Sequence, residues 1–210
     1  MIIEACVETL AEAQMAEAGG ADQIELCGRL DLDGLTPDVS VVKATLERLN
    51  IPVKVMIRPR AGNFVFSEAE VQQMLSELRV FQALGVECFV IGLATADRQL
   101  DLINTKRICA QFPEATFTIH KVIDSIENPL RFISALNNIP NLSSILSSGG
   151  AATALAGAQQ ILAIDQALQA NKHVIAAGKI TAANLPEVKA KIPVQAYHGR
   201  RIIDWSKKKN

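Results

Sequence analysis

Several features that would place the chain in a familiar class are missing from its 210 residues. Lys and Arg total 21 against 22 Asp and Glu, a net charge of −1, so the basic excess typical of nucleic-acid-binding proteins is absent. No apolar run approaches the roughly 20 residues of a membrane span, and the N-terminus lacks a signal-peptide pattern. The four cysteines are irregularly spaced, unlike a disulfide framework. We therefore expect a cytoplasmic protein with neither a nucleic-acid nor a membrane partner.

What the sequence does contain is an alternation of short β-rich runs and longer helical runs. The predicted strands are Ile2–Cys6, Asp22–Leu26, Pro52–Ile57, Val86–Ile91, Ala115–His120, Ser143–Leu146, His173–Ala177 and Pro193–Tyr197. Eight βα-like units favour a (β/α)8 TIM barrel over a doubly wound sheet. The pattern Gly-x-Gly-x-x-Gly is absent after the first strand, and no organic cofactor is predicted.

The barrel is predicted to be one domain over residues 1–204, followed by a polar C-terminal tail at 205–210. It would be compact, because such barrels typically run to about 250 residues, and its final helix is predicted to be reduced or missing. A missing helix leaves an apolar stripe exposed that a partner subunit could cover. We therefore expect a homo-oligomer, either a dimer or a tetramer.

The third predicted strand is followed by two arginines. Within Val53–Ser67, β-branched residues alternate with polar ones until Pro59 ends regular pairing, since proline has no N–H to donate. Ligands of α/β folds bind at the carboxyl ends of strands, so Arg58 and Arg60 are candidates for a clamp on a carboxylate or phosphate. The alternative is an internal ion pair between Arg58 and Glu25.

Near-copies of one motif occupy the first two strands, Ile-Glu-Ala-Cys at Ile3–Cys6 and Ile-Glu-Leu-Cys at Ile24–Cys27. Neighbouring strands lie about 4.7–4.9 Å apart. Two thiolates around a linearly bound soft ion, each about 2.3 Å from it, would be about 4.6 Å apart. Cys6 and Cys27 are therefore candidate ligands of Cu(I) or zinc. The alternative is that both are buried as small hydrophobic residues.

Further polar residues lie toward the same end of the strands. His120 is a candidate acid–base group, or else a core histidine with satisfied hydrogen bonds, and Glu25 is a second candidate for proton transfer. For His198 two interpretations stand, anion binding and a structural role. Ser148 and Gly149, after the sixth strand, either offer backbone N–H groups to an anion or form a simple turn.

Taken together, these residues resemble the CutC family of copper homeostasis proteins over nearly the whole chain. The matching stretches are Glu4–Thr9, Gly19–Cys27, Gly34–Pro37, Met56–Arg60 with Phe64, His120–Asp124, Ser148–Gly150 with Thr153, Ala154 and Gly157, and His198–Gly199. The arginine motif combined with the upstream Ile-Glu-Leu-Cys is the most specific of them.

The resemblance implies a cytoplasmic TIM barrel, often a homo-oligomer, that is associated with copper. Cys6 and Cys27 match the copper ligands proposed for the family. The resemblance also implies a charged barrel mouth that copper binding does not require, formed by Glu25, Arg58, Arg60, His120 and His198.

The chain departs from the family pattern at three places. Lys121 and Ser144 replace arginines that are usual in the family, and Ala177–Lys179 shortens a glycine-rich turn. These departures indicate a shorter subgroup and weaken the case for a phosphate site at the last strands.

Two functions are therefore predicted. The first is Cu(I) binding and buffering by the cysteine pair. The second is a TIM-barrel enzyme, lyase- or isomerase-like, acting on a small carboxylate- or phosphate-bearing substrate at the barrel mouth. In that reading Arg58 and Arg60 orient the substrate, and His120 or Glu25 moves a proton. An inactive barrel that serves as an interaction scaffold is a third reading.

Overall fold

The computed structural model describes residues 1–205, in which eight parallel strands pair in chain order and close into a barrel. The strands are β1 (Ile2–Val7), β2 (Gln23–Leu26), β3 (Val53–Met56), β4 (Cys88–Ile91), β5 (Thr116–Ile119), β6 (Leu142–Ser147), β7 (His173–Ala176) and β8 (Ala196–Gly199). The last strand pairs with the first. The predicted TIM barrel is confirmed.

The described residues contain seven α-helices outside the strands. They are α1 (Leu10–Ala18), α2 (Val39–Leu46), α3 (Glu68–Ala83), α4 (Leu102–Gln111), α5 (Leu130–Asn137), α6 (Ala158–Ala167) and α7 (Leu185–Lys191), with short 3-10 segments at Leu30–Leu32 and Lys121–Ser125. No helix follows β8 up to Trp205, in agreement with the predicted reduction of the final helix. The rest of the predicted polar tail, residues 206–210, lies outside the described residues. None of the described helices is long and apolar enough to cross a bilayer.

The third helix shows how the sequence builds the outer ring. It begins after Ser67, whose hydroxyl accepts from the Glu70 N–H while the Glu70 carboxylate accepts from the Ser67 N–H, which is a capping box. The side chains that it buries recur at helical spacing and form one face: Val71, Met74, Leu75, Leu78 and Phe81. Burial of each such side chain contributes about 1.5–3 kcal/mol, and packing of this face holds α3 against the barrel.

The second helix, α2, begins at Val39 and not at the Thr-Pro pair of residues 36 and 37. The Thr36 hydroxyl instead accepts from the Arg58 N–H at 2.9 Å and donates to Glu77 at 2.8 Å, so it ties the loop before α2 to the end of β3. The eighth strand was expected to begin at Pro193 but begins later, because residues 192–194 form a turn closed by a backbone hydrogen bond.

Strand register places the inward side chains at defined levels. On the first pair of strands, Glu4 lies opposite Gln23 and Cys6 lies opposite Glu25. Across the closing pair, Glu4 lies opposite His198. Because side chains alternate faces along a strand, these residues point into the barrel and become the wall and floor of its open end.

Candidate functional site

The carboxyl ends of the strands surround a cavity of about 850 Å³. Its lining includes six of the predicted site residues, namely Cys6, Glu25, Cys27, Arg58, His120 and His198. The other three, Arg60, Ser148 and Gly149, are not part of the lining. Most of the candidate residues therefore line one cavity at the carboxyl end of the barrel, where the site was predicted.

The floor of the cavity is formed by two thiols and a carboxyl group. One possible ligand atom from each of Cys6, Glu25 and Cys27 lies within 4.8 Å of the others, and all three residues are buried. Cys27 Sγ donates to Glu25 Oε2 at 3.6 Å. The thiols pack with the buried apolar side chains of Met56 and Val90. We call Cys6, Glu25 and Cys27 the thiol floor.

The two thiols do not have equal acidity. The interaction with Cys27, followed by those with His198 and Glu25, outweighs the effect of burial and lowers the pKa of Cys6 to about 5. The interaction with Cys6 and burial raise the pKa of Cys27 well above its usual value. Cys6 is therefore the more acidic of the two thiols.

Below the thiol floor lies a buried ionic network centred on Glu4, which is 1% exposed. Its carboxylate accepts from Gln23 Nε2 at 2.6 Å, pairs with Lys54 Nζ at 2.9 Å and contacts His198 Nδ1 at 2.8 Å. Burial opposes ionisation of Glu4, but Lys54 and His198 together hold its pKa below the usual range. Sequence reasoning missed this network, although Lys54 is one of the polar residues that alternate with β-branched ones after Val53.

Glu25 is buried to the same degree as Glu4 but has few partners. Its Oε2 lies 3.6 Å from His198 Nε2, and its Oε1 has no hydrogen-bond partner within residues 1–205. Burial is the main reason that the pKa of Glu25 is raised to about 8. For His198, burial opposes protonation, but Glu25, Cys6 and Glu4 outweigh it and raise the pKa well above its usual value.

Arg58 enters the cavity from the end of β3 and is 4% exposed. Its Nη1 donates to the carbonyl oxygens of residues 32–34 at 3.1–3.3 Å, and its Nη2 donates to that of Gly62 at 3.0 Å. The guanidinium lies over the Phe64 ring, 4.8 Å from its centroid. The described residues contain no ion pair between Arg58 and Glu25, so that alternative is wrong, and Arg58 Nε has no partner among them.

His120 follows β5 and is 4% exposed. Its Nδ1 accepts from the Val122 N–H at 3.0 Å, which places the ring proton on Nε2. That Nε2 has no hydrogen-bond partner within the described chain. Burial, and then the charge of Arg58, lowers the pKa of His120 to about 3, so the imidazole is a neutral donor and not a base near neutral pH.

Arg60 does not reach the cavity. Its guanidinium pairs with Glu70 and donates to backbone carbonyls, including that of Val65 at 2.7 Å, and it lies over the Phe66 ring. We expected both arginines to face one ligand, and this expectation is wrong for Arg60. Arg60 holds the loop between β3 and α3 to the first turn of that helix.

The turn after β6 already binds an anion, which is a side chain of the chain itself. The Asp124 carboxylate accepts from the Ser148 N–H at 2.9 Å, the Ser148 hydroxyl at 2.8 Å and the Gly150 N–H at 3.0 Å. The Gly149 N–H donates to the Ser147 hydroxyl. The donors that sequence reasoning offered to an external anion are thus used internally, and the separation of 24 positions between Asp124 and Ser148 hid this from the sequence pattern.

Comparison with known proteins gives one family over most of the chain. The model of the CutC family matches residues 1–203. The copper homeostasis protein cutC homolog of Homo sapiens is 32% identical over 190 residues, which cover 89% of this chain and 68% of that protein. A CutC family protein of Pasteurella multocida is 32% identical over 184 residues, covering 88% and 75%.

Solved structures agree with this comparison. The CutC structure from Streptococcus agalactiae is similar with a TM-score of 0.90 and 25% identity, covering 96% of this chain and 99% of that one. N-(5'-phosphoribosyl)anthranilate isomerase from Pyrococcus furiosus, with a TM-score of 0.60, 13% identity and coverage of 99% and 94%, shares the fold alone.

Proposed function

The chain belongs to the CutC family, and from that premise we propose that it binds Cu(I) through Cys6 and Cys27 and buffers copper in the cytoplasm. The observation that supports this most directly is the thiol floor, where two buried thiols and a carboxyl group have ligand atoms within 4.8 Å of one another. Soft thiolates are the ligands that Cu(I) prefers. Human and streptococcal relatives named for copper homeostasis support the choice of metal.

The chemistry of the donors fits a thiophilic ion. Because a metal displaces protons from its thiol ligands, the lowered pKa of Cys6, about 5, favours binding at neutral pH, and the ion has to displace the proton of Cys27, whose pKa is raised. The apolar side chains of Met56 and Val90 beside the sulfurs keep water away from them. A buried pair of this kind favours a soft cation over the hard, hydrated ions that need several oxygen ligands.

The same residues fit zinc less well than Cu(I). A structural zinc site takes four ligands in a tetrahedron, and a fourth donor beside the thiol floor is His198, whose Nε2 lies 3.6 Å from Glu25. Its Nδ1 contacts Glu4 and its pKa is raised well above the usual value, so the imidazole favours the protonated state. Two thiolates satisfy Cu(I) without it.

Anaerobic titration with Cu(I) against a competing chelator tests the proposal. We expect wild type to bind one equivalent, and the double variant Cys6→Ser/Cys27→Ser to bind more than about 100-fold more weakly, since even outer-shell changes at metal sites cost 10–100-fold. The matched control is Cys88→Ser/Cys109→Ser, which removes the other two thiols and leaves the cavity intact. Equal binding by wild type and the Cys6/Cys27 variant would refute the proposal.

A second function, an enzyme of lyase or isomerase type acting on a small anionic substrate, is favoured by a different observation. Three buried polar atoms without partners in residues 1–205, Glu25 Oε1, Arg58 Nε and His120 Nε2, belong to residues that line the same cavity. A metal on the two sulfurs uses neither the arginine nor the histidine. With its pKa near 8, Glu25 has the acidity that suits a general acid near neutral pH.

A further inference from the structure

The geometry points to a carboxylate-binding subsite in which Arg58 Nε and His120 Nε2 each donate to one oxygen of the ligand. The inference rests on the second candidate function, which it deepens by naming the substrate class and the two donors. It is independent of copper, because neither donor belongs to the thiol floor. The subsite lies in the same cavity, on the side formed by the ends of β3 and β5.

Both donors are buried and unused. Arg58 and His120 are each 4% exposed, and Arg58 Nε and His120 Nε2 have no hydrogen-bond partner within residues 1–205. A buried donor left without a partner costs about 1–3 kcal/mol, and both donors belong to side chains that line one cavity, so a ligand that accepts from both would remove both costs. The Phe64 ring contacts both groups, at 4.8 Å from the imidazole centroid and 4.8 Å from the guanidinium carbon.

The structure also fixes the orientation of the histidine. Since Nδ1 accepts from the Val122 N–H, the remaining ring nitrogen carries the proton and donates. Gly92 makes room for the ring, because a Cβ at that position would lie 2.3 Å from His120 Cε1. Backbone bonds from residues 32–34 and Gly62 hold the guanidinium in the same way. The two donors are thus held in place before any ligand arrives.

The number of donors favours a carboxylate over a phosphate. Two N–H groups match two oxygens, and a charge-assisted bond from arginine is the strong contact typical of carboxylate recognition. A phosphate needs more donors, and the backbone N–H groups after β6 that could have supplied them are taken by Asp124.

The charge of the cavity lining agrees with an anionic ligand. Two acidic side chains line it, Glu25 and Asp33, against five basic ones. The basic residues are Arg58, Lys121, Lys179, Arg200 and Arg201. The last four are exposed, so they attract an anion to the cavity without fixing its position.

The test uses wild-type protein labelled with 15N-histidine and titrated with sodium acetate at pH 7 and constant ionic strength. The chain has three histidines, so the ring signals are few, and the His120→Phe spectrum identifies that of His120. We expect the His120 Nε2–H signal to shift saturably as it gains an acceptor. A parallel titration with inorganic phosphate compares the two classes of anion.

Variants separate the donors from general charge effects. His120→Phe keeps the ring but removes the N–H, and should weaken acetate binding, followed by broadening of the acetate methyl signal, by about tenfold or more. Arg79→Gln is the control, because it removes an exposed guanidinium on α3 that lies outside the cavity, and it should bind acetate like wild type. If His120→Phe does not fold, the wild-type shift decides.

The outcomes are distinct. No saturable shift with acetate, equal acetate binding by His120→Phe, or a tighter response to phosphate would each overturn the assignment. Acetate binding that survives in Cys6→Ser/Cys27→Ser supports a subsite separate from the thiol floor, whereas its loss there would overturn that separation. A saturable acetate shift without conversion of larger carboxylic acids would retire the enzyme candidate alone and leave the subsite standing.

Discussion

Two copies of the same motif, on β1 and β2, end in opposite environments. Glu4 and Glu25 both follow an isoleucine, both precede a cysteine by two residues, and are 1% and 3% exposed. Yet Glu4 has three charged or polar partners and a lowered pKa, whereas Glu25 has an oxygen without a hydrogen bond and a pKa near 8. Residue type and burial alone therefore do not decide the charge of a buried carboxyl group.

The difference arises from register and from a single lysine. The second copy is offset along the barrel, so that Glu25 lies level with Cys6 and not with Glu4. Lys54 on β3 is the register partner of Glu25, but its Nζ bonds to Glu4 Oε2 at 2.9 Å and to Thr118 at 3.2 Å. Lys54 therefore pairs with Glu4, the deeper carboxyl group, and not with its register partner. Glu25 at the cavity floor keeps one oxygen, Oε1, without a hydrogen-bond partner within residues 1–205.

The largest expected effect comes from breaking the satisfied copy. Glu4→Gln leaves the Lys54 ammonium buried without its carboxylate, and removing one partner of a buried ion pair typically costs about 3–5 kcal/mol. Urea unfolding at pH 7 measures the loss. The double variant Glu4→Met/Lys54→Met, which removes both charges, should recover most of it.

A different result for Glu4→Gln would be equally informative. A loss below about 1 kcal/mol, in the range of exposed pairs, would mean that Lys54 turns to Glu25, its register partner on the neighbouring strand. The contrast between the two glutamates would then depend on competition for the lysine and not on their fixed positions.

The second prediction concerns Glu25, whose substitution is expected to stabilise the protein, whereas substitution of Glu4 destabilises it. Because burial raises the pKa of Glu25 in the folded protein to about 8, above its ordinary value of 4.5, the unfolded chain loses its proton first, and the stability due to Glu25 falls as pH rises from about 4.5 to 8. Glu25→Gln cannot ionise. Its free energy of unfolding should therefore gain on wild type by up to about 1.4 kcal/mol per pH unit across that range.

Urea unfolding of both proteins between pH 4.5 and 8 checks this difference, which cancels the titration of groups that the two share. Glu47→Gln, at an exposed residue directly after α2, is the control for the same substitution outside the cavity. A flat difference for Glu25→Gln would indicate that Glu25 is ionised throughout, as Glu4 is.

The sequence was sufficient to predict the barrel and the end at which the site lies. Runs of β-branched residues bounded by glycine and proline marked eight strands, and the alternation of faces placed Glu25, Cys27 and Arg58 on the inward side. These are local properties of the chain, which a period of two residues reports directly.

Pairings between distant residues could not be read in the same way. Register between strands depends on how the helices pack around the whole barrel, so the level of Glu25 relative to Glu4 was hidden. The bond of Asp124 to the turn after β6 and the bond of Lys54 to Glu4 join residues far apart in sequence. Each changed the role of a candidate, because a donor already bound internally is no longer available to a ligand.

The smallest predicted effect tests whether the network around Glu4 is held by its neutral partner as well as by charge. Gln23, the residue of β2 level with Glu4, donates to Glu4 Oε2 at 2.6 Å. Gln23→Met keeps the volume and removes the donor, and should cost about 1.5 kcal/mol, at the low end for a hydrogen bond to a charged group. Urea unfolding at pH 7 measures it, with Gln72→Met on the exposed face of α3 as the control. A loss as large as that of Glu4→Gln would mean that Gln23 positions the Glu4 carboxylate for Lys54. The difference between the two copies of the motif would then depend on Gln23 as well as on the lysine.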